Sequence, residues 1–413
     1  MLWLVAQTAL ATQPLGVEDA RYLLTRTGFG ARPADVRMFA ALSRAEAVER
    51  LLDDTSTAPR VAPPAELLTW TPPRQLREMQ AMDEMARQQF RREQQQRAVL
   101  LRAWWLMEML DAPTPAAQLR ERMTLFWHNH FVSSIQKVRS TKLMLEQNLL
   151  LRRDALGHFD DLLHAVAKDP AMIVYLDAAT NRRGQPNENF AREVMELFTL
   201  GEGRYGERDI KEAARAYTGW SIDQDTGAYR WRPFAHDEDM KTVLGVSGRF
   251  DGDAVLDILL TRPETASFIV RKLWREFVSP RPDEAEAERI AGDFRAARYD
   301  IRVALREIFL SPAFWAADNR GGLVKSPVDF VVGAFHDLDV RPEDPRPLVG
   351  LLRQLGQDLF APPNVSGWPG GDVWINSQTL LMRKQFVERL LRQESAGRLL
   401  TPAQMRDARY ELK

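Results

Sequence analysis

Trp127-His128-Asn129-His130-Phe131 sets two imidazoles two residues apart. Neutral imidazole is a favoured ligand for zinc, copper, iron and nickel, and it exchanges protons near neutral pH. On a regular helix, positions i and i+2 lie about 200° apart, so both rings reach one ion only where the helix ends. The following Phe131-Val132-Ser133-Ser134 permits such an end. A structural hydrogen bond from one ring is the competing reading.

A second constellation lies in Pro186-Asn187-Glu188-Asn189-Phe190 and the residues after it. Phe190, Val194, Leu197 and Phe198 recur at helical spacing and predict a buried stripe. Asn189, Glu193 and Glu196 fall at i, i+4 and i+7 beside it. Two carboxylates one turn apart can bind a divalent cation, or share a proton with one pKa raised. Together with His128 they give the candidate metal set His128, Glu193 and Glu196, and a divalent metal is the cofactor this pattern suggests. The structural alternative is a helix capped by Asn187, with Glu188 at its positive end and Arg192 and Arg215 pairing the acids.

His236-Asp237 is the third, with Lys241 four residues on. A His beside an Asp resembles a general base with its orienter, although adjacent residues rarely bond each other well. The catalytic candidates are therefore His128, His130, Glu193, Glu196, His236 and Asp237. No Gly-x-Ser-x-Gly elbow accompanies them, which argues against an acyl-transfer triad. Asp177, near Tyr175 and Asn181, is placed to cap a helix or to join Glu193 and His128. The stretch from Asp223 to Gly227 lacks the later glycine and glutamate of a calcium loop and reads as a turn. Gly367-Trp368-Pro369-Gly370-Gly371 has no Lys-Ser/Thr after it and is no phosphate loop. Of the tryptophans, Trp104, Trp105, Trp127 and Trp274 lie on apolar helix faces. Trp220, Trp231, Trp368 and Trp374 fall on loops or a hairpin, where tryptophan can stack on sugars or clamp the loop. Trp220 and Trp368, with Asn187, Asn189 and Arg192, are the substrate-binding candidates.

The elements that must position these groups are mostly helices. Apolar periodicity predicts one from Val17 to the glycines of 26–33, short helices to Leu52, and a Pro/Thr/Ala-rich loop over 54–73. A polar arm follows over 74–111, on the order of 55 Å if wholly helical. Its middle, Arg87 to Arg97, is polar all round, which suits a solvated or docking helix. Its end, at Trp104 to Leu110, turns apolar. Helices are predicted from Pro115 to Phe131 and from Thr141 to Leu156 with Ser140 as cap. Others are predicted over 159–168, 170–177, 188–200, 207–218, 251–260, 263–278, 283–297, 301–310, 325–337, 344–355 and 377–392. Alternation of Trp220, Ile222, Tyr229 and Trp231 around Asp225-Thr226-Gly227 predicts a small hairpin within 219–233. Residues 356–376 read as a Pro/Gly/Trp-rich loop. The expected fold is all-α: one large multi-helical domain over 17–393 carrying the hairpin, with a tail at 394–413.

Composition bounds the rest. With 45% hydrophobic and 27% charged residues the 413-residue chain is globular. A net charge of -1 supplies no long-range field for nucleic acid. The absence of cysteine excludes thiolate chemistry, disulfides and iron–sulfur clusters. Residues 1–16 begin with an apolar stretch, Met1 to Ala11, that lacks the basic start of a secretory signal. It reads either as a degraded signal, giving a periplasmic or secreted protein, or as a packed helix of a cytoplasmic one. No segment has the roughly 18 apolar residues of a membrane span.

The segment over 186–201, with blocks over 21–33, 127–131, 168–177, 214–220, 236–245, 268–278, 325–335 and 356–371, resembles the bacterial family called domain of unknown function 1800. The resemblance covers residues 17–393. It implies a protein often exported, without an established activity. By analogy it implies a partner from a second family of unknown function, number 1501, which resembles sulfatases. Two readings follow: a binding or assembly protein acting with a partner, or a metal-assisted or general acid–base hydrolase of a glycan or other polymer. The second requires the catalytic candidates to converge in one cleft.

Overall fold

The computed structural model describes residues 13–72 and 83–392. The apolar stretch 1–11, the first turns expected of the arm and the tail 394–413 lie outside them. Helices start where a short polar side chain can accept an otherwise free backbone N–H. Thr114 accepts from the amide of Ala117, Ser140 from Leu143, and Asp251 from Ala254. Pro115, Pro170, Pro263 and Pro327 each occupy a first helical turn, where a missing N–H costs nothing. The mostly-α expectation holds, and helix bounds agree within a few residues.

Two antiparallel hairpins complete the fold. β1 (Trp220–Ile222) pairs with β2 (Tyr229–Trp231), with Trp220 opposite Trp231. Its turn is held by the Asp223 carboxylate, which accepts from the amides of Asp225 and Thr226, so it is a turn and not a calcium loop. β3 (Lys241–Val243) and β4 (Val246–Gly248) form a second hairpin that the sequence did not predict. Its turn puts Leu244 and Gly245 at positive φ, and a leucine there gives no turn signal. The predicted 188–200 helix also differs. It is α-helical over Asn189–Glu193 and widens to a π-helix over Val194–Thr199, where Leu200 N–H reaches back to Met195 O.

The helix Pro115–His130 is the axis of the molecule. Leu119, Met123 and Trp127 pack into one core, and Leu125 into a second one that contains Trp104, Trp105, Phe360 and Trp368. It is buried on almost every side and takes Gln118, Arg120, Glu121, Arg122, Thr124, His128 and His130 inside with it. Most of these find fixed partners, as burial requires. Arg120 donates to Asp54, while Glu121 receives a two-pronged contact from Arg152 at 2.8 Å per bond. Trp127 donates to the carbonyl of Ala155.

The arm is helical over Glu84–Leu110, exposed at its start and buried from Leu101 onward, as its polarity predicts. Among the described residues no helix is long and apolar enough to cross a membrane.

Candidate functional site

A cleft of about 850 Å³ opens beside this axial helix. That is within the roughly 300–1,000 Å³ usual for small-ligand sites. Arg122, Phe126, Asn129 and His130 form its floor. The first helix (Gly16–Thr27) adds Arg21, Tyr22 and Arg26, and the helix Pro263–Phe277 adds Lys272, Arg275 and Glu276. Lys325, Ser326 and Asp329 enter at the start of the helix Pro327–Asp337, and the loop Ser366 to Gly371 closes one rim. Five sequence blocks that carry the family resemblance therefore meet at one cavity.

His130 is buried and held at both ring nitrogens. Nε2 lies 3.1 Å from the carbonyl of Phe198, which can only accept, so Nε2 carries the hydrogen. Nδ1 is then a lone pair, and it accepts from Lys272 Nζ at 3.0 Å. Burial and the charge of Lys272 push the His130 pKa well below its ordinary value. Lys272 Nζ also lies 3.4 Å from Leu197 O and above the Phe268 ring, and among the described residues no carboxylate pairs with it. Burial, then the neighbouring Arg275 charge, push its pKa down to about 8.

His128 faces the other way. Its ring sits among Trp105, Phe360 and Trp368, none of which touches His130. Both nitrogens are buried without a partner, and burial pushes its pKa down to about 3. The two rings diverge as i, i+2 geometry dictates, and the helix does not bend to bring them together. Glu193 and Glu196 do share a face: burial and then Glu196 raise the Glu193 pKa. Tyr205 donates to Glu196. Contrary to the expectation that they pair these acids, Arg192 binds Glu207 and Glu188, and Arg215 binds Glu212 and Asp237. Asp177 pairs with Lys137 at the surface instead of joining His128. Among the described residues no group of three or more His, Asp or Glu side chains could hold a metal ion.

His236 and Asp237 do not form a base and orienter. His236 Nδ1 bonds Thr218 O at 2.9 Å, while both Asp237 oxygens serve Arg215. Lys241 is buried and donates to the carbonyls of Asp237 and Asp239. Among the substrate candidates, Asn187 and Asn189 spend their side chains on neighbouring backbone, with Asn187 accepting from the Asn189 amide. Trp220 and Trp374 are buried, so these loop tryptophans clamp their loops, and only Trp231 is exposed among the four. Trp368 is buried yet borders the cleft.

Asn129 fixes that border. Its Oδ1 accepts from the Trp368 amide at 2.7 Å, and its Nδ2 donates to the Trp368 carbonyl. The approach needs Gly367, which has φ +84°; a Cβ there would lie 2.3 Å from Asn129 Oδ1. Gly367→Ala should therefore cost about 2 kcal/mol or more in urea denaturation. An unchanged midpoint would mean that the loop is not clamped.

The cationic lining was missed in the sequence. Arg26 and Arg122 resemble ordinary helix-surface arginines, and Lys272 sits on the flank of the apolar stripe Ile269, Leu273 and Phe277. The one available signal was that Arg122 lies within a helix too apolar at its end to be solvated.

Comparison with curated proteins and with solved structures gives no match. A family model described as "Protein of unknown function (DUF1800)" matches residues 22–412. The chain belongs to the DUF1800 family.

Proposed function

We propose that this is a binding protein whose cleft takes a small anionic ligand, or an acidic group of a larger one. The observation that carries this is the charge of the lining. Six cationic side chains, Arg21, Arg26, Arg122, Lys272, Arg275 and Lys325, face the same cavity as four carboxylates, Glu18, Glu276, Asp329 and Asp337. Three of the acids are already engaged. Arg122 binds Glu276 at 2.8 Å and Asp329 at 3.0 Å, and Asp337 accepts from the Ala31 amide with Lys325 nearby. Among the described residues Lys272 and Arg275 have no carboxylate partner, and Arg26 forms no salt bridge, feeling only the charge of Asp329, which Arg122 already binds. Arg26 is the most telling: its Nε is buried without an acceptor, and burial followed by the charge of Arg122 lowers its pKa. Tyr22 and the Asp329 charge compensate it only in part, so an anion that supplied the acceptor missing at Nε would be held strongly. Phe29, Leu125 and Trp368 supply apolar wall beside these charges. The hydrolase reading needed His128 or His130 to meet Glu193, Glu196 and perhaps His236 in one cleft, and of these only His130 lines this one.

Calorimetric titration with inorganic phosphate and with citrate tests this reading, because a melting shift alone would mix binding with general salt stabilisation. Binding should weaken at least about tenfold in Arg26→Gln, equivalent to roughly 1.4 kcal/mol. The same variant should melt close to the wild type, since Arg26 makes no ion pair and glutamine can keep a hydrogen bond to Tyr22. Heats indistinguishable from dilution for both anions would overturn the proposal. The start of the arm supports action with a partner, because several of its Arg, Gln and Glu side chains are exposed.

A further inference from the structure

We propose that Lys272 is a nucleophilic amine that captures the carbonyl group of an anionic aldehyde or oxo acid in the cleft, as an imine. The inference rests on the anion-binding reading above and specifies its ligand. Lys272 Nζ is at the cavity wall, on the same helix as Arg275 and facing the same space as Arg26. Its hydrogen bonds can all be made by the neutral amine. His130 Nδ1 at 3.0 Å and Leu197 O at 3.4 Å are two acceptors, and a neutral amine has two hydrogens. The lone pair is what remains for the cavity. The Phe268 ring, 4.8 Å away, favours the charged form, but by only about 0.5–2 kcal/mol. Burial and Arg275 oppose it, and the lowered pKa agrees with the geometry. His130 is the positioning residue: its hydrogen is committed to Phe198 O, so its lone pair must face the amine.

The step balances within the site. Nζ attacks the carbonyl carbon and a C–N bond forms. The amine then gives up its two hydrogens, the carbonyl oxygen leaves as water, and a C=N bond remains. Arg26 and Arg275 are the groups that would hold the ligand's carboxylate.

The test uses the full chain with glyoxylate, or with uncharged propionaldehyde, each with cyanoborohydride at pH 7, followed by peptide mapping. An amine with a pKa near 8 is about a tenth unprotonated there, against well under a thousandth for an ordinary lysine. Lys272 should therefore be labelled at least about tenfold faster than any other lysine. Glyoxylate should label it faster than propionaldehyde, inorganic phosphate should protect it, and His130→Asn should slow it. Label spread over surface lysines according to exposure overturns the proposal. So does labelling of Lys272 that is indifferent to the ligand's charge. If Lys272 stays unlabelled while phosphate still binds by calorimetry, the imine is wrong and the anion site stands; if neither occurs, both fall. Mapping the wild-type chain keeps the result independent of how a Lys272 variant folds.

Discussion

Replacing Glu121 by alanine should cost about 3–5 kcal/mol of folding stability, the penalty expected when one partner of a buried ion pair is removed. Glu121 and Arg152 are both fully buried and joined by two bonds of 2.8 Å. Arg152 also donates to Asn148 and lies over the Trp104 ring, so it cannot swing out to water when its carboxylate is lost. Glu108 is the nearest substitute, at 3.8 Å from Arg152 Nε. It already accepts from the Arg60 and Val61 amides, and burial raises its pKa. It can compensate only in part. A double-mutant cycle with Arg152→Met separates the pair from its surroundings. The double variant should be clearly more stable than the sum of the two singles implies, because neither member of the 2.8 Å pair is left without the other. Additive losses, or a loss under about 1 kcal/mol for Glu121→Ala, would show that water reaches this cluster and that the pair does not tie the axial helix to the helix Thr141–Asp154.

The same axial helix shows what a sequence can and cannot disclose. Local features were legible. Ser140 and Pro115 mark helix starts because a cap or a first-turn proline needs only the next few residues, and Glu193 and Glu196 share a face because one turn of helix fixes it. The divergence of His128 from His130 follows from the same geometry. What lies across from each ring does not. The partner of His130 is Lys272, 142 positions along the chain, and periodicity says which face is buried but not what it meets. Asp237 does not orient His236 for a similar reason, since the Thr218 carbonyl bonds the His236 ring while Arg215 claims Asp237. The polar face of Pro115–His130 was legible as polarity, but its burial was not, because that depends on arginines and carboxylates arriving from four other segments. The π-turn at Val194–Thr199 left no residue-type signal, having neither Pro nor Gly within it.

Asp169→Asn should raise stability at pH 8 and leave it unchanged at pH 4. Asp169 caps the helix Pro170–Tyr175, its Oδ1 accepting from the Met172 amide at 2.9 Å and from Gln147 Nε2 at 2.8 Å. Those bonds, and the positive helix end, favour the carboxylate by about 1–2 kcal/mol. Burial opposes them and wins, with its pKa raised to about 7. The unfolded side chain titrates near 3.9. Between these values the folded protein holds a proton that the unfolded chain has released, so stability falls as pH rises. The stabilising contribution is complete below about pH 4 and is lost as pH passes through 7, a span of about 3 units or roughly 4 kcal/mol. Asparagine keeps the accepting oxygen and cannot ionise, so it should escape that loss. Urea denaturation of both proteins at pH 4.5, 6 and 8 measures the difference, which should open with pH and flatten above 7. Parallel curves, or a variant that is weaker at pH 8, would show that the carboxylate is ionised in the folded protein and that the charge at the helix start outweighs its burial.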